Sequence, residues 1–178
     1  MVKTFGNIYT KEFEKIWNNK EAINLRKKIL NNDYSSCNCE YCTADTSVFG
    51  FELEDPIIGD IELTTNPVGP KIVKMSNDRS CNVMCTICRD TLICNDSNEV
   101  QFFNSNIDKY LDVMKSAKIV DITGSGDPFA SAHYRKLIPN IIKRFPNMKF
   151  NLHTNGVLCT KENIEKLGLS ERLRIVQI

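Results

Sequence analysis

The chain has 178 residues, with 23 Lys and Arg against 22 Asp and Glu, so a formal net charge of +1 gives no reason to expect nucleic acid or an anionic membrane as partner. One domain with a real core is feasible at this length; no apolar run reaches the roughly 20 residues that span a bilayer, and Met1 to Tyr9 lacks a signal peptide's apolar stretch. A cytoplasmic location is expected, where thiols stay reduced, so the eight cysteines read as metal ligands before disulfides.

From Thr10 to Leu30, Phe13, Ile16 and Trp17, then Ala22, Leu25 and Ile29, recur at helical spacing. This predicts two short amphipathic helices, with Asn18 and Glu21 placed as a capping pair. Trp17 reads as a core or interface residue. The cysteine cluster Cys37, Cys39 and Cys42 opens a stretch carrying Pro56, Gly59, Pro67, Gly69 and Pro70, a linker with at most a hairpin around Ile57 to Leu63. Residues 1–69 form an α-rich, cysteine-containing extension on this reading, and residues 70–178 a second domain.

Beyond the linker the pattern alternates between short β-rich runs and helical segments, the signature of βαβ units on a parallel sheet. The runs are Lys71 to Met75, Lys118 to Thr123, Lys149 to His153 and Arg172 to Ile178. One helix face is marked by Ile107, Tyr110, Leu111 and Met114 and another by Leu137, Ile138, Ile141 and Ile142, while Lys161 to Leu167 makes a short third crossover. The fourth run, with Ile175, Val176 and Ile178, reads as a strand buried on both faces whose far edge nothing covers. The expected fold is therefore an α/β parallel sheet truncated after about four strands.

Directly after the first run stands Asp78-Arg79-Ser80-Cys81-Asn82-Val83-Met84-Cys85-Thr86-Ile87-Cys88-Arg89-Asp90, with three cysteines at Cys-x3-Cys-x2-Cys. A structural zinc site closes its tetrahedron with four protein ligands, whereas a cluster held by three thiolates leaves one iron open. A loop after a parallel strand is also where such folds place ligands. The alternative is a zinc knuckle that borrows Cys94, or a grouping of buried thiols. Cys94 and Cys159 otherwise read as small packed side chains.

The triad resembles the motif of the radical S-adenosylmethionine superfamily, which has this spacing at this place. The resemblance implies a (β/α)6 partial barrel, a 4Fe-4S cluster on Cys81, Cys85 and Cys88, and S-adenosylmethionine as cofactor. The activity implied is reductive cleavage to a 5'-deoxyadenosyl radical that abstracts a substrate hydrogen, with a flavodoxin or ferredoxin as electron donor. Many members have an aromatic residue before the third cysteine; here Ile87 would lie against the adenine. Thr123-Gly124-Ser125-Gly126-Asp127-Pro128-Phe129 is similar to the family's Gly-Gly-Glu-Pro segment, which receives the cofactor's ammonium. Glycine there permits close backbone approach, and a carboxylate suits a cation.

His153-Thr154-Asn155-Gly156 is similar to the family's third-strand end, which implies a cofactor contact for Asn155; Asn-Gly is equally a common turn pair. His153 reads as a strand residue rather than a base, and His133 as a helix-surface residue. Asp127 to Ser131 and His133 to Arg135 resemble radical enzymes that carry SPASM-type auxiliary cluster domains, as do Ile16-Trp17 and Leu25-Arg26 ahead of the first cysteines. Cys37, Cys39 and Cys42 are then ligands of an auxiliary cluster, or else a reduced cysteine cluster or zinc site. The sequence identifies no substrate; analogy with such relatives points to a peptide, with sugars and small metabolites left open, and this chain, without later strands, is expected to be incomplete for turnover. The reading from another class is a non-catalytic, cysteine-based zinc or partner-binding module.

Overall fold

The computed structural model describes residues 4–36, 64–65, 67–122 and 125–178. The chain divides into two compact units, Met1–Gly69 and Pro70–Ile178. Cys37, Cys39, Cys42, Gly124 and the expected hairpin at Ile57 to Leu63 lie outside the described residues.

In the first unit, helix α1 spans Phe13–Trp17 and α2 spans Lys20–Leu30. The cap between them falls one residue later than the sequence pairing suggested: the side chain of Asn19 accepts from the Ala22 N–H at 2.8 Å, while Asn18 closes α1. Trp17 is half-buried. Its indole N–H donates to the Pro67 carbonyl at 2.8 Å, and the Arg26 guanidinium lies 5.0 Å from its ring centroid, a cation–π arrangement. Arg26 also donates to Thr65 O at 2.7 Å and Trp17 O at 2.8 Å. The two side chains therefore tie the short helices to the segment that leads out of the unit.

In the second unit four strands, β1 (Ile72–Met75), β2 (Ile119–Ile122), β3 (Lys149–His153) and β4 (Leu173–Gln177), lie side by side in that order, every pair parallel. The crossovers run through α3 (Ser97–Ser105) and α4 (Ile107–Val113), then α5 (Ala132–Arg144), then α6 (Lys161–Lys166). Strand residues alternate between faces. One face presents Val73, Met75, Val120, Ile122, Phe150 and Leu152, all buried; with Met114, Leu137, Ile138 and Ile141 they form the core. The opposite face is more open and more polar, with Lys74, Asp121, Asn151, His153 and Gln177 in register across the strands.

Two expectations need correction. Strand β4 is not buried on both faces: Ile175 is 47% and Val176 38% exposed, because an edge strand with open sides has no layer to bury against. His133 is not a surface residue but fully buried, its ring 5.2–5.5 Å from those of Phe103, Tyr110 and Tyr134. The neighbour that encloses it, α3, is an element the apolar spacing did not announce. It is nevertheless fixed by a capping box, in which Asp96 accepts from Asn98 and Glu99 N–H and Glu99 accepts from the Asp96 N–H.

Candidate metal centre

The site is built where β1 ends. The loop from Ser76 to Asp96 leaves the sheet and is held by buried polar residues before it reaches the first thiol. Asp78, fully buried, accepts from the Ser80 N–H at 2.7 Å and from the Ser131 hydroxyl at 2.6 Å. Its own N–H donates to the Tyr134 hydroxyl at 3.3 Å. Ser131 also caps α5 by accepting from the Tyr134 N–H at 2.9 Å. A carboxylate out of water needs such donors, so one buried aspartate pins the cysteine loop to the start of α5.

Cys81 is buried, whereas Cys85 and Cys88 are exposed. Tight turns at Cys88 and Arg89, whose N–H groups both donate to Cys85 O at 2.9 Å, bring the second and third thiols to the same side. All three line a cavity of about 270 Å³ with Arg89, Gly126, Thr154 and Asn155. Arg89 donates to Arg79 O at 2.9 Å and Ser125 O at 2.8 Å, and its guanidinium comes within 3.6 Å of the Cys88 sulfur. The Asn155 amide N–H reaches the Cys81 sulfur at 3.4 Å and Asn82 Oδ1 at 3.0 Å. Donors of this kind offset negative charge on ligating sulfurs.

These residues fit a group held by three thiolates. Among the described residues no three His, Cys, Asp or Glu side chains gather into a group that could hold a metal ion, and the three thiols line the cavity without closing such a site. Cys94 does not complete one. It is exposed rather than packed, and its sulfur lies 3.9 Å from Cys81 O. Cys159 is half-buried, and burial pushes its thiol pKa up.

The loop after β2 contributes differently from what its composition suggested. Asp127 is fully buried, and both carboxylate oxygens are occupied. Oδ1 accepts from Phe129 and Ala130 N–H at 2.9 and 3.2 Å, and Oδ2 from the Thr154 hydroxyl and Asn155 N–H at 2.6 and 3.1 Å. It is thus a tie between the ends of β2 and β3 and not a free acceptor for an ammonium. Ser125 is likewise engaged, its hydroxyl donating to Ser76 O at 2.7 Å. Pro128 is buried. Gly126 allows this loop to touch the cysteine loop: a Cβ there would stand 2.5 Å from Ser80 O and 2.8 Å from Asp78 O.

Asn155 sits in a turn, as its Oδ1 accepts from the Val157 N–H at 3.0 Å, and its amide N–H faces the Cys81 sulfur. Ile87 is 98% exposed and is not among the residues lining the cavity. His153, by contrast, lines it, and its Nε2 lies 3.2 Å from Asp121 Oδ1. Sequence reasoning missed Asp78, Ser80, Ser131 and Asp121. The first three carried a legible signal, Asp-x-Ser immediately before a cysteine and a Ser before a helix.

Residues 1–43 match the SPASM family, described as an iron-sulfur cluster-binding domain. The match falls on the part of the chain read as resembling SPASM-type auxiliary cluster proteins and bears out that resemblance. The solved structure of BtrN in complex with AdoMet and 2-DOIA is similar to 60% of this chain, at 12% identity and a TM-score of 0.38. The chain spans 56% of the length of that structure. No curated protein matches the chain. Among the described residues no helix is long and apolar enough to cross a membrane.

Proposed function

We propose that this chain is a radical S-adenosylmethionine enzyme whose 4Fe-4S cluster is held by Cys81, Cys85 and Cys88. One observation carries the reading: the three thiols of a Cys-x3-Cys-x2-Cys loop line a single cavity with the β2 and β3 loop ends, at the carboxyl edge of a parallel sheet. When bound, the cluster and S-adenosylmethionine supply one-electron reductive cleavage that lets a substrate hydrogen be abstracted. The protein's part is placement. Arg89 and Asn155 brace the sulfurs, Gly126 keeps the β2 loop against the cysteine loop, and Asp127 with Thr154 fixes the spacing of the two loop ends. The open side of the cavity, by Thr154, Asn155 and the backbone near Gly126, would receive the cofactor. The N-terminal cysteines Cys37, Cys39 and Cys42 hold an auxiliary cluster on this reading, the substrate is a peptide, and a flavodoxin or ferredoxin supplies electrons.

The test is anaerobic reconstitution with iron and sulfide, followed by metal analysis and electron paramagnetic resonance. The wild-type chain is expected brown, with a 4Fe-4S signal perturbed by S-adenosylmethionine. Single Cys81→Ala, Cys85→Ala or Cys88→Ala substitutions should each remove most of that signal, because each thiolate is a direct ligand. Replacing Cys37, Cys39 and Cys42 together by serine should leave it and remove only a second iron population. A colourless zinc protein, or full retention of the signal in Cys85→Ala, refutes the assignment.

A further inference from the structure

The Cys-x2-Cys half of the thiol loop has a geometry of its own. The Cys88 N–H donates to the Cys85 carbonyl at 2.9 Å, which closes a four-residue turn with the two cysteines at its ends. Such a turn holds its end Cα atoms within about 7 Å, and a disulfide needs roughly 4.4–6.8 Å between them. Both cysteines are exposed, and both line the same cavity. Thr86 and Ile87 between them are exposed as well, so no packed side chain opposes a small adjustment of the turn. Cys81 is set apart from this pair. It is buried, its N–H donates to Ile93 O at 2.9 Å, and its sulfur meets the Asn155 amide at 3.4 Å.

We propose that Cys85 and Cys88 are a reversible dithiol–disulfide pair when no cluster is bound, oxidised by glutathione disulfide. The Cys88 thiolate, whose sulfur the Arg89 guanidinium approaches to 3.6 Å, attacks one sulfur of the oxidant. The S–S bond of the oxidant breaks, a mixed disulfide forms, and one glutathione leaves as a thiolate that takes up a proton. Cys85, as a thiolate, then attacks the Cys88 sulfur, and the second glutathione leaves in the same way. Two protein thiols are oxidised and one glutathione disulfide is reduced to two glutathiones, which carry away the two protons the cysteines lose. Excess glutathione reverses both steps. The disulfide stands on the turn and the exposure of its ends; that it competes with cluster ligation for two of three thiols rests on the function proposed above.

The test uses the full chain with Cys37, Cys39 and Cys42 replaced by serine, so that iron and oxidant are read at this loop. Iron-free protein is equilibrated anaerobically with glutathione buffers of rising oxidised fraction, quenched with acid and alkylated under denaturing conditions. The peptide from Ser80 to Arg89, which holds all three cysteines of the loop, is then mapped by mass spectrometry. Cys85 and Cys88 are expected to become protected together while Cys81 stays alkylated, and dithiothreitol should restore both. Cys94→Ser should leave this result unchanged, and Cys85→Ser should trap a glutathione adduct on Cys88. In the reconstituted chain, freed of excess sulfide, the disulfide should form about ten-fold more slowly or less, because a ligated thiolate must dissociate before it can exchange. The proposal is overturned if Cys85 and Cys88 stay alkylated at every glutathione ratio, if the protected pair includes Cys81 or Cys94, or if Cys85→Ser gives no adduct on Cys88. A disulfide that forms equally fast in the iron-free and the reconstituted chain would instead refute the cluster on these thiols and leave the redox pair standing.

Discussion

Asp127 illustrates how one side chain can carry the geometry of a site without facing a ligand. Its carboxylate accepts three backbone N–H groups and one hydroxyl, so an amide at the same place would turn an NH2 group toward donors on one side. Asp127→Asn is expected to cost about 1–3 kcal/mol, the penalty of buried donors left unpaired, seen as a lower urea midpoint in the cluster-free chain. The same variant should lose iron faster after reconstitution, because Thr154 and Asn155 are released together. Unchanged stability would mean that the four bonds contribute nothing net.

At the scale of elements, the loops after β1 and β2 touch through backbone. Gly126→Ala places a methyl group 2.5 Å from a carbonyl oxygen, and backbone cannot step aside as a side chain can. A loss on the order of 1–3 kcal/mol is expected, with reduced cluster occupancy measured as iron per chain; a fully loaded variant would show that the two loops need not meet. The elements themselves were largely legible. Alternating β-rich and helical runs announced all four strands to within one or two residues, and the thiol spacing announced the loop. What escaped has physical causes. Helix α3 exposes most of its surface and buries no residue fully, so apolar spacing had little to register, and its signal lay in the cap. The Thr154–Asp127 and Ser131–Asp78 bonds were opaque because their partners lie 27 and 53 residues apart, and no local pattern shows which distant group a buried carboxylate is bonded to. The burial of His133 is set by Phe103 and Tyr110 on other helices, so the pattern of its own helix does not show it.

For the molecule as a whole, His133 makes the stability of the second unit depend on pH. Burial lowers its pKa from the ordinary 6.5 to about 4, against the weaker opposing pull of the Asp78 charge. Above pH 6.5 both folded and unfolded chains hold it neutral; between 6.5 and 4 the unfolded chain binds a proton that the folded chain refuses, so stability falls as the pH falls. The loss approaches on the order of 3 kcal/mol near the lower bound. His133→Phe keeps an aromatic ring in place and should flatten this limb, checked by urea midpoints of both chains at neutral pH and at about pH 5. Equal slopes would show that His133 does not titrate differently on unfolding. The strand order has a further consequence, for the route by which the unit forms. Among the described residues strands pair only with their neighbours in sequence, so each new strand can dock on the one just made and the sheet can grow in the direction of synthesis at modest loop-closure cost. The centre follows a different timetable. Cys81 is made early, but the Asn155 amide that braces it comes 74 residues later, after β3 has left the ribosome. The nascent chain thus displays its thiols well before it has anything to hold them in place.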